Sequence, residues 1–181
     1  KTLRPALVCL LIFTVICGVL YTGAVTGIAQ LIFPDKANGS IITVTLKDGT
    51  KKQIGSELIA QEFTKPEYLI GRPQGTSNLS PVSKEQKKLV EERIKWWHAF
   101  DPDNKAEIPS DLVTASGSGV DPNISPAAAE YQVARIAKAR GISEDDVRKI
   151  IDQYTTGRFL GFWGESAVNV LKVNLALDGL L

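Results

Sequence analysis

From Pro5 to Phe33 the chain carries no charged side chain at all, and this uncharged run constrains its fold more than any other feature. About 20 apolar residues are enough to cross the hydrocarbon core of a bilayer as a helix. A cleavable secretory signal is the rival reading, but its apolar region runs only about 7–15 residues. Here apolarity persists through Val19, Leu20, Val25, Ile28, Leu31, Ile32 and Phe33, although Gly27 and Ala29 imitate the small residues of a cleavage site. Bulky Val8 and Ile16 precede Cys9 and Cys17 and argue against a lipoprotein anchor. The expected organisation is a cytoplasmic N-terminus over 1–4, a transmembrane helix over 5–33 and an extracytoplasmic domain over 34–181. Orientation rests on Lys1 and Arg4 before the span, since cytoplasmic flanks are enriched in Lys and Arg; Lys36 beyond it is offset by Asp35. The chain is therefore expected in the cell (inner) membrane as a single-pass protein in contact with lipid.

Small and hydroxylated residues interrupt the span. Gly18, Thr22, Gly23, Thr26 and Gly27 include a Gly-x-x-x-Gly pair with threonines at the same spacing. Lipid provides no hydrophobic drive between helices, so small residues that let backbones approach closely mark a seam for a partner helix.

The chain has 21 basic and 20 acidic residues, and setting aside Lys1 and Arg4 leaves 19 against 20 for the rest. That balance excludes a strongly basic nucleic-acid surface, so no nucleic-acid partner is expected. Both cysteines lie in the span, leaving the remainder without a disulfide framework or thiolate metal site.

Beyond the span the pattern is mixed, and the expected fold class is α+β, one domain on a single helix. Ile41–Leu46 and Lys51–Ile54 flank Asp48-Gly49, which predicts a hairpin. Gly55–Phe63 fits either a short helix or a buried strand. Gly71–Ser83 reads as a loop. Ser83-Lys84-Glu85-Gln86 is a capping box opening a helix with Val90, Ile94 and Trp97 on one stripe. Thr114–Gly119 is a second polar loop. Ser125-Pro126 starts a helix closed by Gly141, with Arg135, Lys138 and Arg140 complementing its C-terminal dipole, and Ser143 caps the next. Leu171, Val173, Leu175 and Leu177 alternate with polar residues, which favours a strand over 168–177, with a helix as the alternative.

Catalytic chemistry finds little footing. His98 is the single histidine, Ser116 and Ser118 lack the nucleophile-elbow pattern, and no phosphate-binding loop occurs. Asp101-Pro102-Asp103-Asn104 lacks a calcium loop's ligand spacing, so neither a metal site nor catalytic residues are expected.

Several blocks in order, Leu3–Leu7, Ala37–Ser40, Gly71-Arg72-Pro73, Ser77-Asn78-Leu79, Leu112–Asp121, Ile124–Ala129, Ala137–Arg140 and Val168–Asp178, resemble the C subunit of the bacterial Kdp potassium-transporting ATPase. The resemblance implies an accessory subunit of a high-affinity, ATP-driven potassium uptake complex. Its partners would be a channel-like A subunit, a P-type ATP-hydrolysing B subunit and a small F subunit. It implies no stably bound cofactor. An alternative role is a catalytic chaperone that raises the ATP affinity of the B subunit through a transient ternary complex with ATP. Against that alternative, ATP is cytoplasmic whereas the charge bias places this domain outside. Candidate partner or nucleotide contacts are Arg72, Ser77, Asn78, Thr114, Ser116, Ser118 and Asp121, with Arg72 read either as a ligand contact or as a structural donor to the loop.

Overall fold

A computed structural model describes residues 2–75 and 78–181. The chain forms two compact units, one up to Ile42 and one from Thr43 to Leu181. The result is α+β: one long apolar helix and a mixed body.

In the first unit, α1 (Leu3–Phe13), a π-helical stretch (Thr14–Tyr21) and α2 (Thr22–Ile32) make one helix, Leu3–Ile32, long and apolar enough to cross a membrane. None of its side chains is buried. Two of its hydroxyls are satisfied by the helix's own backbone, the arrangement that hydrocarbon favours: Thr14 donates to Leu10 O at 2.7 Å and Thr22 to Cys17 O at 2.9 Å. The latter bond spans five residues, matching the wider winding of the π stretch. Pro34 opens the short α3 (Pro34–Ala37), and the Asn38 carboxamide exchanges two 3.2 Å hydrogen bonds with Gln30.

Next come β1 (Ile41–Thr45) and β2 (Lys51–Ser56), paired across the predicted turn. Gly49 sits at φ +82°, and the Asp48 carboxylate accepts from Thr50 N (2.9 Å) and Thr50 Oγ1 (2.6 Å). Gly55–Phe63 is neither of the two expected elements: β2 ends at Ser56 and the chain turns irregular. A Cβ at Gly55 would overlap the Gln61 amide, which donates to Ile54 O.

Helix α4 (Lys84–Phe100) starts where Ser83 Oγ accepts from Gln86 N at 3.1 Å. Only that half of the capping box forms, because Ser83 N donates to Ser80 O instead. A 3₁₀ turn (Ser110–Leu112) and β3 (Asn123–Ile124) follow. The helix expected from Ser125 to Gly141 is two helices, α5 (Pro126–Glu130) and α6 (Val133–Arg140), separated at Tyr131 and Gln132. Gly141 closes α6 at φ +65°, and Ser143 caps α7 (Glu144–Gln153). Strands β4 (Thr155–Thr156) and β5 (Ala167–Asn169) join β3 in an antiparallel sheet ordered β3-β5-β4, with Val168 opposite both Ile124 and Thr155.

The strand expected over 168–177 stops at Asn169. Its side chain accepts from Lys172 N at 3.0 Å and caps α8 (Val170–Leu177). Val170, Leu171, Val173, Asn174 and Leu175 are all buried, so no polar face imposed a helical period on the sequence. The core centres on Trp97, whose indole N–H donates to Leu112 O at 3.0 Å and whose ring meets Tyr131 edge-on at 5.6 Å. Leu69, Ile136, Val147, Val168 and Val173 fill it out.

Candidate functional site

Leu69 is fully buried, yet its segment belongs to no helix or strand. Its amides therefore need partners inside the protein. Two carboxamides supply them. Asn174 in α8 accepts from Leu69 N (2.7 Å) and donates to Leu69 O (2.9 Å). Gln132 ahead of α6 accepts from Ile70 N (2.8 Å) and donates to Ile70 O (3.0 Å) and Ala128 O (3.1 Å). Each carboxamide presents one donor and one acceptor side by side, as a neighbouring strand would. Two arginines grip the same segment. Arg140 donates to Glu67 O (2.7 Å), Leu177 O (2.6 Å) and the Asp178 carboxylate (2.8 Å). Tyr68 donates to Asp178 as well (3.0 Å), and burial, reinforced by that carboxylate, pushes its phenol up.

Arg135 corrects the sequence reading. It does not complement a C-terminal dipole but stands buried in the first turn of α6, donating to Pro66 O, Tyr68 O (3.1 Å) and Gln132 Oε1 (2.6 Å), with its guanidinium 4.9 Å from the Phe100 ring centre. Burial pushes its pKa down to about 10, which leaves it charged at neutral pH.

Arg72 emerges from this clamped segment and reaches the polar loop, donating to Thr114 Oγ1 at 3.3 Å. Thr114 in turn donates to Ser110 O (2.7 Å). Ser116 Oγ accepts from Gly119 N (2.9 Å) and Asp121 N (3.4 Å), and Ser118 Oγ from Val120 N (3.2 Å); the two hydroxyls lie 3.3 Å apart. The Asp121 carboxylate accepts from Asn123 N (3.0 Å). Gly75 N bonds Gly119 O (3.1 Å), tying the Arg72 loop to this one. Asp111 accepts from Ser125 N at 2.6 Å. Partial burial pushes its carboxyl up, but the Ser125 hydrogen bonds and the Arg72 charge outweigh it, and the net shift is downward.

Of the expected contacts, the structure thus brings Arg72 to Thr114 and gathers Ser116, Ser118 and Asp121 into one turn network. Asn78 is exposed and joins neither, and Ser77 lies outside the described residues. Beside Arg72 a cavity of about 240 Å³ is bounded by Gly71, Arg93, Trp96 and Leu112. Arg93 donates to Val113 O (2.8 Å) at its edge. A larger concavity, about 920 Å³, has Phe100, Asp101, Tyr131, Arg135 and Lys138 in its wall. His98 is exposed in the last turn of α4. Along the apolar helix, Cβ atoms at Gly23 and Gly27 would meet open space, and one at Gly18 only its own Thr14. Thr22 and Thr26 are exposed beside them.

Sequence reasoning missed Gln132, Asn174 and the structural role of Arg135. The available signal was an amide inside an apolar run, Asn174 between Val173 and Leu175 and Gln132 before Val133, because a buried carboxamide must be paired.

Comparison with known proteins completes the description. The family model described as the c chain of K⁺-transporting ATPase, KdpC, matches residues 3–179. A potassium-transporting ATPase KdpC subunit from Listeria monocytogenes is 59% identical over 180 residues, covering 98% of this chain and 95% of the relative. One from Clostridium perfringens is 50% identical, covering 100% and 98%, and one from Rhodopseudomonas palustris is 48% identical, covering 98% and 96%.

Proposed function

The chain belongs to the KdpC family of K⁺-transporting ATPase subunits, and from that membership we propose that it holds the channel-like and ATP-hydrolysing subunits of a potassium uptake complex together without chemistry of its own. The observation that carries this reading is the extent of the match, which takes in the apolar helix as well as the folded unit. In this proposal the N-terminus is cytoplasmic, the helix packs through Gly18, Thr22, Gly23, Thr26 and Gly27, and the folded unit docks outside the cytoplasm. The open space at Gly23 and Gly27 supports the seam, since a partner backbone can approach there without displacing a side chain.

The test is Gly23→Leu with Gly27→Leu in the full complex. The expected result is loss of the multi-span partners on purification and of uptake at micromolar potassium, with the chain still in the membrane. Unchanged recovery and uptake would overturn the seam. The competing role, raising ATP affinity through a ternary complex, predicts ATP binding by the purified full chain, weakened by Arg72→Ala. The accessory role predicts no such binding.

A further inference from the structure

Strands β4 and β5 are joined by an arm, Gly157 to Ser166, whose tip is the most conspicuous apolar surface of the folded unit. Phe159, Leu160, Phe162 and Trp163 are 68%, 71%, 70% and 68% exposed. Among the described residues none of the four joins the core, and Phe162 and Trp163 lie stacked with centroids 6.2 Å apart. Among Phe159–Gly164 there is no charged side chain; Arg158 and Glu165 stand exposed on either side.

The backbone of the tip is closed on itself. Phe159 N donates to Trp163 O (2.8 Å), Trp163 N to Phe159 O (2.9 Å), Gly161 N to Arg158 O (3.0 Å) and Phe162 N to Phe159 O (3.3 Å). Leu160 and Gly161 turn the chain at φ +53° and +80°. A leucine at positive φ is unusual, and such a turn would form more readily with Asn or Gly. The turn thus keeps a large apolar side chain in water at a position where local folding disfavours it. Such an outlier points to a use beyond folding.

We propose that this tip is a second membrane contact, seating its aromatic side chains in the head-group region of the bilayer that the apolar helix enters. Three observations favour lipid over a protein groove or a second copy. The tip folds back through four backbone hydrogen bonds of its own but leaves Leu160 N–H and the Gly161 and Phe162 carbonyls open to water, which suits the hydrated head-group level and not the dry interior of a protein groove. Its composition suits the interface: Trp163 combines an apolar body with an unpaired indole N–H that can stay at the wet level, and Arg158 can meet lipid phosphate. Finally, four side chains at this exposure offer roughly 500–600 Å², short of the about 800 Å² per partner of a standard protein interface. A chain already tethered needs less area, because the second contact is intramolecular.

The inference rests on the membrane-anchored reading, and the experiment separates the two. The full chain and its Trp163→Phe variant are reconstituted in phosphatidylcholine–phosphatidylglycerol vesicles, with and without bromine on the upper acyl chain. The difference between the two emission spectra isolates Trp163 from Trp96 and Trp97. It is expected to fall by half or more in brominated vesicles, and to be restored when Phe159, Leu160 and Phe162 are replaced by Ser. Equal Trp163 emission with and without bromine would overturn the proposal. If those serine replacements also cost recovery of the partner subunits from the complex, the tip would belong to a protein groove instead. Pelleting of the chain after alkaline washing checks the anchor independently: a chain that washes off refutes the span, and one that stays with Trp163 unquenched refutes only the tip.

Discussion

Two irregular stretches lie in the folded unit, and they are held in opposite ways. Glu67 to Ile70 is fixed by side chains in or beside α6 and α8, over sequence separations of 62 to 110 residues. Thr114 to Asp121 is fixed largely by its own hydroxyls, over separations of two to five. The first stretch exists only once the helices have assembled around it, so it is part of the core despite having no regular structure. The second carries its instructions locally, and its sequence can change without disturbing the helices. Irregular backbone is therefore no guide to tolerance; what matters is how far away its hydrogen-bond partners come from.

The largest effect should come from breaking the remote clamp. Asn174→Leu keeps the branched shape but leaves Leu69 N–H and C=O buried without partners, a loss of about 2–5 kcal/mol. Gln132→Leu removes the partners of Ile70 and also strips Arg135 of an acceptor, with a cost in the same range. The double variant should fall short of the sum, because both carboxamides hold one segment. Thermal unfolding of the full chain in detergent, followed by tryptophan emission, measures all three. A drop below about 1 kcal/mol for Asn174→Leu would mean that water replaces the carboxamide and that the clamp is not a core feature. Arg135→Lys should fail to restore an Arg135→Met loss, since an ammonium cannot reproduce the planar fork that meets three acceptors.

What the sequence disclosed follows the same division. The apolar helix, the Asp48-Gly49 turn and the serine caps at 83, 125 and 143 were legible because each is encoded within a few residues. Helix α8 was not, since burial on nearly every side erased its polar face and left an accidental alternation. The break between α5 and α6 was hidden for a related reason: Gln132 is diverted to Ile70, 62 positions away. For the site, Arg72 and Thr114 were both named from the sequence, but only the fold could show that they touch. Arg135 read as a complement to a C-terminal helix dipole because nothing local announces carbonyls arriving from Pro66 and Tyr68.

A smaller effect is expected from the self-contained loop. Ser116→Ala removes one acceptor for two backbone donors at a half-buried site, which should cost about 0.5–1.5 kcal/mol. The readout that distinguishes it is local. Amide exchange at Gly119 and Asp121 should accelerate while Leu69 and Ile70 keep their protection. Faster exchange at Leu69 as well would show that the loop and the clamp form one cooperative unit, and the contrast between them would fail.

The smallest effect tests the place where the two stretches communicate, through Arg72, Thr114 and Asp111. Asp111 accepts from Ser125 N, ahead of α5, and its carboxyl is held below the ordinary value although burial alone would raise it. A carboxyl depressed in the folded state stabilises the fold above its unfolded pKa, near 4, and that contribution disappears as pH falls through the folded value. The melting temperature of the chain should therefore exceed that of Asp111→Asn at pH 6, and the gap should close as the pH is lowered toward 3. Arg72→Gln removes the only one of these influences that comes from the clamped side, so it should narrow the gap at pH 6 without abolishing it. If the gap is the same at both pH values, the Asp111–Ser125 contact acts through geometry rather than charge. The link between the two stretches then rests on hydrogen bonds, Arg72 to Thr114 and Gly75 N to Gly119 O, without a charge contribution.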